Sequence, residues 1–73
     1  MDTTEYDQHL RDSNNRYVTV RYLDQIIHGM VVIVEYEYYC IWNPNERRHQ
    51  TISKQFIDSI EIIDETQFNL MID

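Results

Sequence analysis

Residues 26–37 read IIHGMVVIVEYE, the most apolar stretch of the chain. Both of its alternating faces are apolar, and its many β-branched residues favour a strand over a helix. Gly29 is the only glycine of the chain. An isolated glycine inside a strand marks a bulge, or a bend where two backbones approach closely. The stretch therefore predicts one long, bent strand with two apolar faces, as a small barrel requires.

Strand patterns also lie on both sides of this stretch. Residues 16–23 alternate, with Val18, Val20 and Tyr22 on one face, and a tight turn at Asp24-Gln25 leads into the long strand. Pro44 lacks the N–H that a central strand requires, so it separates a third strand from a fourth. Five strands are thus predicted, and the remaining ones occupy residues 38–42, 47–53 and 57–63, with a one-turn connector at 54–56.

The two ends of the chain differ from this β pattern. Residues 1–15 predict a short helix and a turn, because Asp2 and Glu5 can accept from the free N–H groups of a first helical turn. Residues 65–73 form an acidic tail that carries Phe68, so the tail either docks on the domain or pairs as a further strand. The predicted organisation is a helix and turn (1–15), a small β-barrel (16–64) and a C-terminal tail (65–73).

Composition argues against several classes of function for a single copy of the chain. The chain has a formal net charge of −7, whereas a nucleic-acid-binding protein needs a basic surface. One cysteine allows neither a disulfide within the chain nor a cysteine-based zinc site, and one glycine allows no glycine-rich phosphate loop. We therefore expect no cofactor and no metal.

The same sequence predicts a cytoplasmic protein that does not enter a membrane. The first ten residues are polar rather than basic and then apolar, so they do not resemble a secretory signal. The longest apolar run, residues 30–34, is far too short to span a bilayer. The abundance of tyrosine, asparagine and isoleucine suggests a bacterial or phage source.

Catalytic residues are not predicted. Glu35 and Glu37 lie on one face of a strand, and paired carboxylates can act as a general acid and a general base. No nucleophile and no orienting partner stands at a recognisable spacing from them, so they are interpreted as an exposed strand face. The chain is predicted not to be an enzyme.

The aromatic cluster is the first candidate binding site. It comprises Tyr36, Tyr38, Tyr39 and Trp42, and Glu35 and Glu37 accompany it. Alternation places Tyr38 and Tyr39 on opposite faces, so at least one of them is expected at the surface. Such a cluster covers one end of a barrel, forms the hot spot of a protein interface, or stacks nucleic-acid bases. The basic residues Arg47, Arg48 and Lys54 are the alternative candidates, for nucleic-acid contacts.

A family resemblance rests on four features: the Tyr17-Val18-Thr19-Val20 strand, the turn at Asp24, the bend at Gly29, and the ending at residues 52–63. In this order they resemble the Sm-like family of small SH3-type barrels, over residues 17–64. The resemblance implies a mainly β fold, namely a five-stranded Sm-like or SH3-like small barrel with a short N-terminal helix.

The residues that bind RNA in Sm proteins are not carried over. Those proteins have an Asp-x-x-x-Asn arrangement on the third strand, which residues 37–42 lack, and Lys54 is not accompanied by an Arg-Gly pair. In charge and length the chain is more similar to acidic Sm-like proteins that inhibit the Rho factor. Its C-terminal half also looks like YolD-like proteins, which are associated with error-prone DNA polymerases.

The sequence thus favours a non-enzymatic protein-binding module that acts through an acidic and aromatic surface. Its partner is expected to be a protein, and the chain is expected to regulate or inhibit a nucleic-acid-handling protein by binding to it. The alternative is an oligomeric Sm-like RNA-binding protein, in which symmetry brings the few basic residues of several copies together.

Overall fold

A single five-stranded antiparallel sheet is the centre of the computed structural model, which describes residues 2–72. The helices and strands are α1 (Thr4–Asp12), β1 (Tyr17–Tyr22), β2 (Gln25–Val34), β3 (Tyr38–Asn43), β4 (Arg48–Ser53), β5 (Ile57–Ile62) and α2 (Glu65–Met71), with a one-turn 3-10 helix at Lys54–Phe56. The strand order is β4-β3-β2-β1-β5. A mainly β fold with five strands and a short N-terminal helix is therefore confirmed. Over the described residues, however, β4 and β5 are the two edges of the sheet, which does not close into a barrel.

One face of the sheet, here called the inner face, carries the hydrophobic core. The predicted alternation is confirmed in β1, where Val18 and Val20 are buried while Arg21 is exposed. In β5 the buried residues Ile57 and Ile60 are three apart. Helix α1 contributes Leu10, which is fully buried in the same cluster, and Tyr6 packs beside it. The chain therefore completes its core by placing one helix against the sheet.

Gly29 marks a close approach of two strands rather than a bulge. A Cβ atom at this position would collide with Cγ2 of Ile41 and would lie 2.6 Å from the backbone oxygen of Trp42. The irregularity in β2 comes later, where the register with β3 shifts between Val31 and Ile33. Of the two structures that an isolated glycine indicates, only the close backbone approach occurs at Gly29.

The structure corrects three local predictions. Strand β2 ends at Val34, so Glu35 and Glu37 lie in the turn before β3 and not on a strand. The first hairpin turns at Leu23 and Asp24, one residue earlier than Asp24-Gln25. The C-terminal segment docks, as expected from its apolar residues, but it does so as α2 and not as a sixth strand.

Helix α2 packs on the opposite, outer face of the sheet. The Asp64 side chain caps its first turn by accepting from the backbone N–H of Gln67. Phe68 is buried, and its ring lies 4.5 Å from the ring of Tyr17. At the other end of the helix, the Thr19 hydroxyl donates to Sδ of Met71 at 3.6 Å. Residues on the outer face of β1 are thus covered by a helix of the same chain.

The turn between β1 and β2 has an unfavourable residue at its tip. Leu23 and Asp24 have φ values of 48° and 64°, as in a type I′ turn of a two-residue hairpin. Aspartate tolerates this left-handed conformation, but leucine does not, because its Cβ crowds the following carbonyl. Leu23 is also 56% exposed, so its side chain gains little from packing.

We expect Leu23→Asn to raise the free energy of unfolding by about 0.5–1 kcal/mol, because asparagine adopts the left-handed conformation at lower cost. Chemical denaturation measures the change. Leu70→Asn is the matched control, since Leu70 is 82% exposed on a regular helix and should show no stabilisation. Equal effects of the two substitutions would show that backbone strain at Leu23 is not the cause.

Candidate functional site

The turn between β2 and β3, residues Glu35, Tyr36 and Glu37, is here called the acidic turn. Its backbone is fixed at both ends: the N–H of Glu35 donates to the oxygen of Tyr38, and the N–H of Lys54 donates to the oxygen of Glu37, each at 2.9 Å. Tyr36 is 91% exposed between the two glutamates. The turn therefore presents an aromatic ring and two carboxylates from an anchored backbone.

Helix α1 lies beside the acidic turn, and two clefts separate them. A cleft of about 480 Å³ is lined by Tyr36 and Glu37 together with Asp2 and Asp7 of the N-terminal region. A second cleft of about 450 Å³ also has Tyr36 on its wall, with Asp12 and Arg11 of α1. Tyr36 thus stands between two shallow clefts whose walls carry several carboxylates.

Two of these carboxylates have different surroundings. Asp2 is exposed, and the backbone N–H of Thr4, which donates to it at 3.0 Å, holds the pKa of its carboxyl below the usual range. Asp7 lies deeper and accepts from Nζ of Lys54 at 2.6 Å, so its charge is compensated within the chain. The negative field of this region therefore comes from Asp2 and the acidic turn rather than from Asp7.

A buried polar network forms the floor of the first cleft. Asp7 accepts one hydrogen bond from the hydroxyl of Tyr39 and another from Lys54, whose ammonium also lies 4.8 Å from the centre of the Tyr39 ring. Burial, and then the hydrogen bond to Asp7, raise the pKa of Tyr39. This network ties α1 to β3 and to the 3-10 helix, and so fixes the position of the clefts.

The structure separates the predicted aromatic residues into three environments. Tyr36 is exposed in the acidic turn, Tyr39 is fully buried on the inner face, and Tyr38 is 40% exposed on the outer face. The expectation that Tyr38 and Tyr39 lie on opposite faces is confirmed. Trp42 is half-buried on the outer face, and its ring lies 5.0 Å from that of His49. Tyr39 therefore supports the surface from within, whereas the other three can reach it.

Tyr38 and Trp42 belong to a longer apolar surface, here called the outer strip. Antiparallel register places Met30 opposite Trp42 and Ile33 opposite Cys40, so these pairs share a face. Ile33 is 47% exposed, while Met30 and Cys40 are half-buried. The outer strip consists of Met30, Ile33, Tyr38, Cys40 and Trp42.

The basic residues Arg47, Arg48 and Lys54 do not converge. Arg48, at the start of β4, pairs with Glu46 at 3.1 Å and follows Arg47 of the β3–β4 turn. Lys54 is buried and bonded to Asp7. The register of β3 with β4 pairs Asn43 with Arg48 at one end and Tyr38 with Ser53 at the other. At about 3.4 Å per residue, the two arginines and Lys54 lie near opposite ends of a ladder roughly 17 Å long.

Sequence reasoning did not find the contribution of α1 to this site. Asp7 lies 32 residues from Tyr39 and 47 from Lys54, and no local pattern indicates that these side chains meet. The apolar residues Met30 and Ile33 were predicted to lie on a strand. Alternation alone does not predict which face of that strand remains exposed to solvent. Tyr36, Glu35 and Glu37 were named as candidates from the sequence, but their position in a turn was not predicted.

Within residues 2–72, no group of three or more histidine, cysteine, aspartate or glutamate side chains is arranged to hold a metal ion. The helices described there are also too short and too polar to cross a membrane. Comparisons of the chain with family models, with curated proteins and with solved structures find no match.

Proposed function

We propose that this chain is a non-enzymatic protein-binding module, and that the acidic turn is the centre of its binding surface. The observation that carries this proposal is the position of Tyr36, which is 91% exposed on a backbone anchored at both ends. A tyrosine held in place before binding loses little conformational freedom in a complex, which is one reason why tyrosine is enriched at interface hot spots.

Charge indicates the chemistry of the partner. Glu35, Glu37 and Asp2 surround Tyr36, and the whole chain carries a formal net charge of −7. A basic protein surface complements this field, and its arginine side chains can both pair with carboxylates and stack on the tyrosine ring. Surfaces that handle nucleic acids are basic, so a nucleic-acid-handling protein that this module regulates or inhibits is the favoured partner.

We also propose that the chain is related to the Sm-like or SH3-like small β domains. An N-terminal helix, five antiparallel strands in the order β4-β3-β2-β1-β5, and a 3-10 turn between β4 and β5 agree with the pattern that the sequence resembles. Fold likeness by itself does not establish function. The binding proposal therefore rests on the acidic turn.

Affinity capture from a bacterial extract tests the proposal. We expect the wild-type chain to retain a basic protein, and the variants Tyr36→Ala and Glu35→Lys/Glu37→Lys to retain at least about tenfold less of it, as loss of a hot-spot residue implies. Asp58→Lys/Glu61→Lys is the matched control, because it also reverses two exposed acids, but on β5, which β1 and β2 separate from β3. Retention that is equal for all four chains, or tight RNA binding without any protein partner, would contradict the proposal.

One observation favours the alternative, an oligomeric RNA-binding protein. Among residues 2–72, β4 and β5 each have a neighbouring strand on one side only. The unpaired edges of two copies can therefore pair with each other and extend the sheet. Light scattering with and without a short RNA decides: a ring whose mass increases with RNA supports the alternative, and a monomer that is indifferent to RNA excludes it.

A further inference from the structure

The outer face of the sheet already accepts one helix. Helix α2 lies over β1, where it buries Phe68 against Tyr17 and places Met71 against Thr19. These contacts combine one aromatic ring and one flexible apolar side chain with a half-exposed strand surface. The contacts of α2 thus show how the outer face binds a helix.

The outer strip continues this helix-binding surface across the sheet. Tyr17 pairs with Met30, Met30 with Trp42, and Trp42 with His49, so one row of side chains runs from α2 to the edge at β4. Ile33, at the middle of the strip, is 47% exposed, and Tyr38, at its end beside the acidic turn, is 40% exposed. The strip therefore begins where the contact of α2 ends, and its apolar side chains remain accessible.

Charges of opposite sign stand at the two ends of the strip. The acidic turn, with Glu35 and Glu37, precedes β3, and the exposed Arg47 follows it. The six residues of β3 span about 17 Å, a length that about 12 residues of α-helix cover. A ligand that complements this surface is a helix with one apolar face, a basic residue at one end and an acidic residue at the other.

We propose that the outer strip binds an amphipathic helix of a protein partner. The helix lies along β3, beside α2, with its basic end at Glu35 and Glu37 and its acidic end towards Arg47. This inference rests on the proposed protein-binding function and extends it, because it names the structural element that the partner contributes. It also joins Tyr38 and Trp42 to the acidic turn as parts of one continuous surface.

Selection from a displayed library of random 16-residue peptides tests this inference on the full chain. We expect enriched peptides to carry apolar residues at i, i+3 or i+4, and i+7, with lysine or arginine near one end. Trp42 is the only tryptophan of the chain and lies within the strip. Synthetic, tryptophan-free versions of the enriched peptides should therefore change its fluorescence emission in a saturable way.

Two matched variants locate the contact. Ile33→Glu should weaken peptide binding about 30-fold, as the loss of a hot-spot side chain does. Ile26→Glu should leave binding unchanged, since Ile26 is equally apolar and 59% exposed but lies near the β1–β2 turn. Both variants should keep the melting temperature of the wild type, because both side chains are exposed.

The results separate this inference from the proposed function. Enriched peptides with an alternating, strand-like pattern, or peptides that bind Ile33→Glu as well as the wild type, would overturn the helix inference. If these peptides nevertheless bind the Tyr36→Ala variant more weakly than the wild type, the acidic turn remains a protein-binding site. A library without any enriched peptide, together with an extract that yields no partner, overturns both.

Discussion

Gly29→Ala should lower the free energy of unfolding by about 3 kcal/mol, which is a large part of the total for a chain of this size. The added Cβ would meet Cγ2 of Ile41 and lie 2.6 Å from the backbone oxygen of Trp42. A side chain can change its rotamer, but a carbonyl in the ladder between β2 and β3 moves only if the strands separate. In a domain of this length the loss corresponds to a decrease of roughly 12–24 °C in the melting temperature.

Thermal unfolding followed by circular dichroism measures this effect. Ser59→Ala is the control, because Ser59 is exposed on the edge strand β5 and its change should stay within about 0.5 kcal/mol. The Trp42 emission of Gly29→Ala should also change, since the strand that carries Trp42 is displaced. A melting temperature within a few degrees of the wild type would show that the two strands are not packed as closely as the structure has them.

Asp7→Ala should destabilise the protein by about 3 kcal/mol, because it leaves two buried groups without their acceptor. Lys54 loses the carboxylate at 2.6 Å, and the hydroxyl of Tyr39 loses its hydrogen-bond partner. The side chains of Lys54 and Asp7 are only 9% and 16% exposed, so water replaces these contacts poorly. Amide hydrogen exchange should also become faster in α1, since the network fixes that helix to the sheet.

A second substitution distinguishes the loss of the ion pair from a general effect on the helix. Asp7→Ala/Lys54→Met should be more stable than Asp7→Ala alone, because the double variant no longer buries an unpaired ammonium. Asp12→Ala, an exposed aspartate of the same helix, should change stability by less than about 0.5 kcal/mol. If the double variant is no more stable than the single one, the charge of Lys54 is not what makes the loss of Asp7 costly.

Much of the β architecture follows from local sequence. Alternation in β1 predicted which side chains face the core, because a strand repeats every two residues and one face must be buried. The strand break at Pro44 was predicted correctly, since proline cannot pair in a central strand. The one-turn connector at 54–56 was also predicted correctly. These features depend on neighbours in the chain, and so the sequence alone determines them.

Other features depend on contacts between distant residues. The strand interpretation of Glu35 and Glu37 was wrong because the chain turns back after Val34, where the N–H of Glu35 donates to the oxygen of Tyr38. Within β2, an extra residue between Val31 and Ile33 also changes the side-chain faces after it. The last segment was expected to be a tail or a strand, but Asp64 caps a helix there and Phe68 anchors it. Neither the position of a bulge nor the docking of a short helix has a strong local signature.

Composition and strand periodicity establish from the sequence that this protein is a small acidic β domain with an excess of tyrosine. Which tyrosines are accessible depends on the tertiary structure: Tyr39 lies in the core, Tyr38 is half-exposed on the outer face, and Tyr36 is exposed in a turn. The tertiary structure also brings Lys54 to Asp7, 47 residues away in sequence, so the Lys54 ammonium pairs with a carboxylate of the chain and is not free to contact a phosphate. The physical reason is that burial and charge pairing depend on which surfaces meet in space, whereas strand periodicity depends only on the adjacent residues.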